Sequence, residues 1–329
     1  MTTLSVMDSS WIISGPLAAI APQGADTGGA RMPLARFVAD MEHYADLSRS
    51  PLAAWMAGET MDLVHLGLLG VTMAAAPTLG AALRCFQRYF GALQSASAAE
   101  FEVIGDTAHF RYAILDQDIW PRQADADLTL GVVADVVRRY AAAADRVVTV
   151  QFETVAGRSR PAVAAHLGRP LRQGDDNAIA LPARLLDCRA IQTDVAAEDA
   201  FTAAMATLKD EFHRIWLRQP TSHRVLQTML ARMGRAAVDQ DAIARHLGMS
   251  RRTLRRQLDS EGVAFHELTE LCRRNIGLAL LVRSNLPMIE IALRLGYSDH
   301  TAFSRAFSRW FGQSPRALRQ SGSGRRVST

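Results

Sequence analysis

The 329-residue chain predicts an α+β protein in two parts: a mixed α/β domain first, then an all-α domain with two helix-turn-helix motifs joined by a long helix. Three observations predict it. Strand-like and helix-like stretches alternate up to about residue 195, the pattern of helices packed on a sheet. From Ser222 to Leu318 the apolar residues keep helical spacing, with breaks at Gly234, Gly248, Gly262, Pro287, Gly296 and Gly312. Within that stretch Ile243-Ala244 to Leu247-Gly248-Met249-Ser250 returns as Ile291-Ala292 to Leu295-Gly296-Tyr297-Ser298, at an offset of 48.

The first 30 residues are rich in Gly, Ala, Ser and Thr around Pro16 and Pro22 and read as a flexible lead-in. A domain of 31–195 follows. Residues 33–46 predict a helix, and Pro51 starts another segment at 52–58. Leu63 to Met73 is compact and apolar. Pro77-Thr78 opens a helix over 79–93, with Leu79, Leu83, Phe86, Phe90 and Leu93 on one face. Residues 101–104 and 108–114 flank Gly105-Asp106-Thr107 as a hairpin. An Ala/Val-rich helix is predicted over 125–144, strands over 147–152 and 178–181, and a short helix over 161–167.

Residues 196–220 form a connecting helix. Its Phe201, Met205, Leu208, Phe212 and Ile215 repeat at 4-3-4-3 spacing, the seam of a two-heptad coiled coil, which makes them candidates for dimerisation; packing on their own domain is the alternative. Pro220 ends this helix and Thr221 or Ser222 caps the next. The all-α domain is set at 221–319, and the Gly/Ser/Arg-rich tail, 320–329, as disordered.

Charge divides the same way. The net charge is +4, but residues 241–329 hold 15 Arg and 7 acidic residues, a net of +8, leaving −4 for the rest. A basic segment of this kind suits a nucleic acid, because neutralising phosphates releases condensed counterions. Lys209 is the only lysine, an arginine bias that genomic base composition also produces. In each motif a small apolar helix, a Gly at the turn and a capping Ser or Asp lead into a second helix, which suits entry into a DNA major groove. Leu254 and Leu258 turn inward from the first such helix, so Arg252, Arg255 and Arg256 face out. In the second motif Ile289, Ile291, Ala292 and Leu295 are expected to face in, followed by Phe303, Phe307 and Trp310. His300, Thr301, Ser304 and Arg305 are then left for base edges or phosphates. A connecting helix over 265–282, roughly 25 Å long at 1.5 Å per residue, would hold the two recognition helices about one DNA turn apart.

Residues 222–319 closely resemble the DNA-binding region of AraC/XylS-type bacterial transcription regulators. The resemblance rests on the run from Ile291 through Gly296-Tyr297-Ser298-Asp299-His300 to Phe307, with Arg309-Trp310, Gly312 and Ser314-Pro315, and on Leu254-Arg255-Arg256-Gln257-Leu258 and Glu261-Gly262. It places the seven outward residues named above on DNA-facing positions. One departure is Gly277, where the family's connecting helix usually has Ala. Residues 33–195 resemble, less specifically, the arabinose-binding-like sensing domain of one AraC-type subgroup, through Gly67-Leu68-Leu69-Gly70, Pro77 to Leu83, Arg88-Tyr89-Phe90, Val150 to Phe152, His166 to Pro170 and Asn177 to Leu181. The resemblance implies an effector-responsive activator that binds double-stranded promoter DNA and RNA polymerase as a homodimer, with an unidentified small-molecule effector. Its alternatives are a repressor, a non-specific architectural DNA binder and, less favoured, an N-terminal enzyme domain fused to a DNA reader.

Other chemistries find little support. Cys85, Cys188 and Cys272 are scattered, and the nine histidines show no metal-ligand spacing, so neither a metal nor another cofactor is expected. There is no GxSxG motif, and Asp116, Asp118, Asp125 and Asp127 span a Pro-containing loop and a helix start, where Asp is favoured anyway; no enzyme is expected. Arg158 and Arg160 read as a solvated loop. No basic residue precedes Arg31 and no apolar run spans a bilayer, which points to the cytoplasm and away from membranes.

Overall fold

A computed structural model describes residues 10–20, 30–116, 119–142, 148–153, 157–173, 177–189, 195–234, 236–284 and 286–324. They fall into two compact units: the described residues within 10–114 and 119–215 form the first, and those within 115–116 and 216–324 the second.

The first unit is built on a five-stranded sheet of order β3-β4-β7-β5-β6, formed by Ser97–Ile104, Thr107–Ile114, Asn177–Pro182, Thr149–Phe152 and Arg172–Gln173 respectively. All pairs are antiparallel except β5 with β6. Strict alternation in β4 sends Ala108, Phe110, Tyr112 and Ile114 into the core. The hairpin is longer than expected: β3 begins at Ser97, because pairing with β4 recruits Ser97-Ala98-Ala99-Glu100, residues of weak strand preference.

Helices pack around this sheet: α1 (Leu34–Leu47), α2 (Ala53–Glu59), α3 (Gly67–Ala74), α4 (Leu79–Leu93), α5 (Gln123–Tyr140) and α6 (Arg160–Leu167). The side chain of Thr78 caps α4, accepting from Ala81 N at 3.1 Å. The apolar face of α4 is buried as its spacing predicts, and Phe86 stacks on Phe110 of β4 with centroids 5.3 Å apart. Helix α5 is buried nearly all round, the mark of a helix at the centre of a domain. It ends at Tyr140, short of the expected residue 144, and 143–147 lie outside the described residues.

Two expectations at the ends need correction. Within the lead-in, β1 (Trp11–Ile13) pairs with β2 (Arg31–Pro33), and Ile12 is buried in the core. Trp11 N donates to Ser95 Oγ at 2.7 Å, a long-range partner that local composition does not reveal. Residues 1–9 and 21–29 lie outside the described residues. At the other end the expected disordered tail, 320–329, is helical as far as Gly324; 325–329 are not described.

The connecting helix α7 runs Val195–Arg218. Its seam is already occupied: Leu208 is buried, and Phe201, Met205 and Phe212 pack against the first unit's core, Phe212 edge-on to Tyr89 at 5.5 Å. Four of the five dimerisation candidates thus lie against their own domain, and Ile215 is half-buried.

The second unit contains α8 (Thr221–Arg232), α9 (Gln240–His246), α10 (Arg251–Ser260), α11 (Phe265–Arg283), α12 (Met288–Arg294), α13 (His300–Phe311) and α14 (Pro315–Gly324). Their core joins Val225 and Met229 of α8, Leu254 and Leu258 of α10, Leu268 and Cys272 of α11, and Phe303 and Phe307 of α13.

Candidate nucleic-acid interface

Each motif is assembled by short-range chemistry. In the first, Asp239 caps α9 by accepting from Ala242 N at 2.9 Å, and Gly248 takes a left-handed φ of +68° that reverses the chain. Ser250 then caps α10, its Oγ accepting from Thr253 N at 3.1 Å. In the second, Gly296 turns at φ +76° and Asp299 caps α13 by accepting from Ala302 N at 2.8 Å. Those backbone hydrogen bonds hold the Asp239 and Asp299 carboxyls below the usual carboxylate range. The repeat at offset 48 is therefore a structural repeat.

The burial pattern orients the recognition helices. Leu254 and Leu258 are buried, and Arg252, Arg255 and Arg256 all stand exposed on α10. On α13 Phe303 and Phe307 are buried, His300, Thr301 and Arg305 are exposed, and Ser304 is half-buried. The seven residues thus lie on the two helices, on the sides turned away from the core. Arg255 lies 3.9 Å from Asp259, an exposed pairing of little energetic weight. One inward assignment was wrong: Ile289 is 44% exposed, because α12 buries only the Ile291-Ala292 side.

Three clamps that the sequence reading missed hold this frame. Glu261 accepts from Thr221 N at 2.6 Å and Ser222 N at 2.8 Å, tying the start of α8 to the end of α10. Arg273 of α11 donates from Nε to Leu295 O at 2.9 Å and lies over the Tyr297 ring, holding the turn of the second motif. Arg319 of α14 donates to Leu281 O and Leu286 O, at 3.2 and 2.9 Å, and closes the end of α11. The Ser314-Pro315 pair was the available signal for α14: Ser314 Oγ accepts from Ala317 N, and Pro315 occupies the first helical position. Helix α11, 19 residues, is roughly 28 Å long at 1.5 Å per residue.

The first unit buries several of its charges. Arg160, expected in a solvated loop, is 4% exposed: it opens α6, pairs with buried Asp127 and lies 3.5 Å over the Phe152 ring. Arg158, in contrast, is exposed and donates to Ser48 O. Glu59 accepts from Trp55 Nε1 and Arg138 and faces His166 Nε2 at 2.7 Å. Burial pushes the Cys85 and Cys272 thiols up to about 12, far from a reactive thiolate. Among the described residues no cluster of His, Cys, Asp and Glu is arranged to hold a metal ion, and no helix is long and apolar enough to cross a membrane.

With the motifs and their exposed faces in place, comparison with known proteins defines the class. Residues 243–321 match the helix-turn-helix domain family, and residues 17–190, more than half of the chain, match the arabinose-binding N-terminal domain of AraC transcription regulators. The chain belongs to that family, the AraC transcription regulators, and carries a helix-turn-helix domain. Among individual relatives, it is 39% identical over 97 residues to the ornithine utilization regulator of Pseudomonas aeruginosa, covering 30% of this chain and 28% of that one. It is 43% identical over 82 residues to the transcriptional regulator VirS of Mycobacterium tuberculosis, covering 25% and 24%. The chain thus spans only about a quarter of the length of these curated relatives. The crystal structure of the regulator CdpR from Pseudomonas aeruginosa aligns over 94% of this chain and 96% of its own, at 24% identity and a TM-score of 0.44.

Proposed function

We propose that the protein is an effector-responsive activator: a small molecule enters the first unit and alters occupancy of promoter DNA by the second. The observation that carries the DNA half is the pair of N-capped helices presenting Arg252, Arg255 and Arg256 on one and His300, Thr301, Ser304 and Arg305 on the other. Arginines suit guanine edges and phosphates, and a mixed set with His, Thr and Ser suits sequence reading better than simple phosphate neutralisation. A helix α11 of roughly 28 Å fits two recognition helices set about one DNA turn apart.

The match to an arabinose-binding domain supports a small-molecule effector without naming its chemistry. One relative, 39% identical over 84 residues, is the transcriptional activator RhaS of Escherichia coli, which supports activation, with RNA polymerase as the further partner. We place the protein in the cytoplasm as a homodimer. The α7 seam is not the surface we assign to that dimer, since its residues are committed to the first unit's core.

The test is selection of genomic fragments by the full-length protein at physiological salt, beside Arg256→Ala, Arg305→Ala and the double variant. Each single change is expected to weaken binding to the selected site by about 1–3 kcal/mol, and the double variant to lose site enrichment. An unselective pull-down that is the same for wild type and double variant would remove sequence-specific reading.

A further inference from the structure

The first unit holds a small, partly open cavity, ≈ 20 Å³, lined from β1, α1, α4 and α5. That exceeds the about 10–15 Å³ needed for one water. Most of its wall is apolar, with Phe37, Phe86 and Phe90 prominent. Three polar side chains interrupt it: Gln94, Asp125 and Thr129, exposed by only 3%, 1% and 9%.

Counting donors shows what this polar edge offers. The Tyr112 hydroxyl has one hydrogen and gives it to Asp125 Oδ2, at 2.7 Å. It must therefore accept from Gln94 Nε2, 2.9 Å away. The other Gln94 amide hydrogen goes to Ser97 Oγ, and Ser97 in turn donates to Ser95 O. Every donor in the chain is spent within the protein. Gln94 Oε1 and Asp125 Oδ1, both acceptors, are left out of this chain of hydrogen bonds, and Thr129 also lines the cavity.

Charge sharpens the preference. Arg122, the cation nearest Asp125 in effect, is itself paired with Glu153 at 3.0 Å and donates to Ile114 O. Among the described residues no cation forms a direct ion pair with Asp125. Burial pushes its carboxyl up to about 7, against the hydrogen bond from Tyr112 and the Arg122 guanidinium, with Glu42 of α1 and Glu153 adding to the rise. A carboxylate lodged in an apolar wall without its own counter-ion is stabilised by a ligand that brings positive charge and hydrogen-bond donors together.

Resting on the reading of the first unit as the sensing domain, we infer that this cavity is a binding site for a small organic ammonium. The nitrogen donates to Asp125 Oδ1 and Gln94 Oε1, and the hydrocarbon lies against Phe37, Phe86 and Phe90. At ≈ 20 Å³ the cavity holds little more than one water, so even a short amine such as n-propylammonium enters only as the lining side chains move apart.

The test is calorimetric titration of the full-length protein with n-propylammonium, beside n-propanol and propionate as neutral and anionic counterparts. Saturable binding of the ammonium alone is expected. Asp125→Asn keeps the shape and should weaken it by about tenfold or more, the usual weight of one charged hydrogen bond. Thr129→Val, which keeps volume and charge, should weaken it less. Affinity should rise between pH 6 and pH 8 as Asp125 ionises while the amine stays protonated, and Asp125→Asn should be flat across that range. Equal responses to all three probes, no response, or ammonium binding unchanged in both variants would overturn the assignment. DNA occupancy measured in the same samples separates this site from its regulatory role. Asp125-dependent binding that leaves occupancy unchanged keeps the site and removes the coupling.

Discussion

Arg160 opens a helix in the first unit and Arg256 lies midway along one in the second, yet the former is 4% exposed against Asp127 and Phe152 while the latter stands in solvent. The contrast extends to their neighbours. In the first unit Glu59, Arg122, Asp125, Asp127 and Arg160 are all buried; in the second Arg252, Arg255, Arg305 and the capping Asp239 and Asp299 are exposed or half-exposed. In these two sets similar residue types serve opposite ends, one specifying an interior and the other presenting a surface, although the second unit also buries Arg224. A buried pair costs several kcal/mol of desolvation per ion and is weak evidence for stability, so its presence fits selection for a particular interior shape.

The sharpest way to break that comparison is Arg160→Ala. It leaves the Asp127 carboxylate buried without its partner, which should destabilise the protein by about 3–5 kcal/mol, read from urea unfolding of the full chain. The double change Arg160→Met with Asp127→Leu should recover most of the loss. An effect of Arg160→Ala no larger than that of a surface arginine would show that the pair is solvated in practice, and the contrast between units would collapse.

The caps provide a second, smaller test. Ser250→Ala removes the acceptor of Thr253 N and should cost about 1 kcal/mol of stability. The pH dependence should also differ in sign between the units. Asp239 and Asp299 have depressed folded values, so the stability they supply is present above the unfolded carboxylate value and is lost as pH falls through the folded one. Asp125 is raised to about 7, so its contribution is present below the unfolded value and is lost as pH rises towards 7. Unfolding profiles of Asp299→Asn and Asp125→Asn should flatten on opposite sides of pH 4. The same slope change in both would contradict the burial difference.

The same contrast explains what was legible in the sequence. The second unit's motifs are local: each cap, turn glycine and inward pair lies within about a dozen residues, so spacing alone placed Arg252, Arg255, Arg256, His300, Thr301, Ser304 and Arg305 on outward faces. Its clamps were missed because Glu261 meets Thr221 and Ser222, and Arg319 meets Leu281 and Leu286, over 33 to 40 positions. In the first unit such distances are the rule. Arg160 reaches Asp127 over 33 positions and Trp11 reaches Ser95 over 84, so a buried arginine read as a loop and a core strand read as lead-in. Ile289 failed differently. An apolar residue beside a buried stripe was counted into it, although a seven-residue helix buries only one narrow side.

Gly277 is where the second unit's packing is put to its finest test. It lies in α11, and a Cβ there would sit 3.1 Å from Leu295 Cδ1 and 3.4 Å from Phe303 Cε2, both fully buried side chains of the second motif. Helix propensity favours Ala by about 1 kcal/mol. The shorter contact lies inside the roughly 3.5–4.0 Å optimum for carbon pairs, so Leu295 must give way by a few tenths of an ångström. These effects oppose each other and are of similar size, and Gly277→Ala is expected to change unfolding stability by less than about 1 kcal/mol. The direction carries the information. A gain near the full propensity value would mean that α11 and the second motif meet with slack, as suits a surface-presenting frame. A loss would mean that this junction is packed as tightly as the first unit's interior, fixing the second recognition helix against its connector.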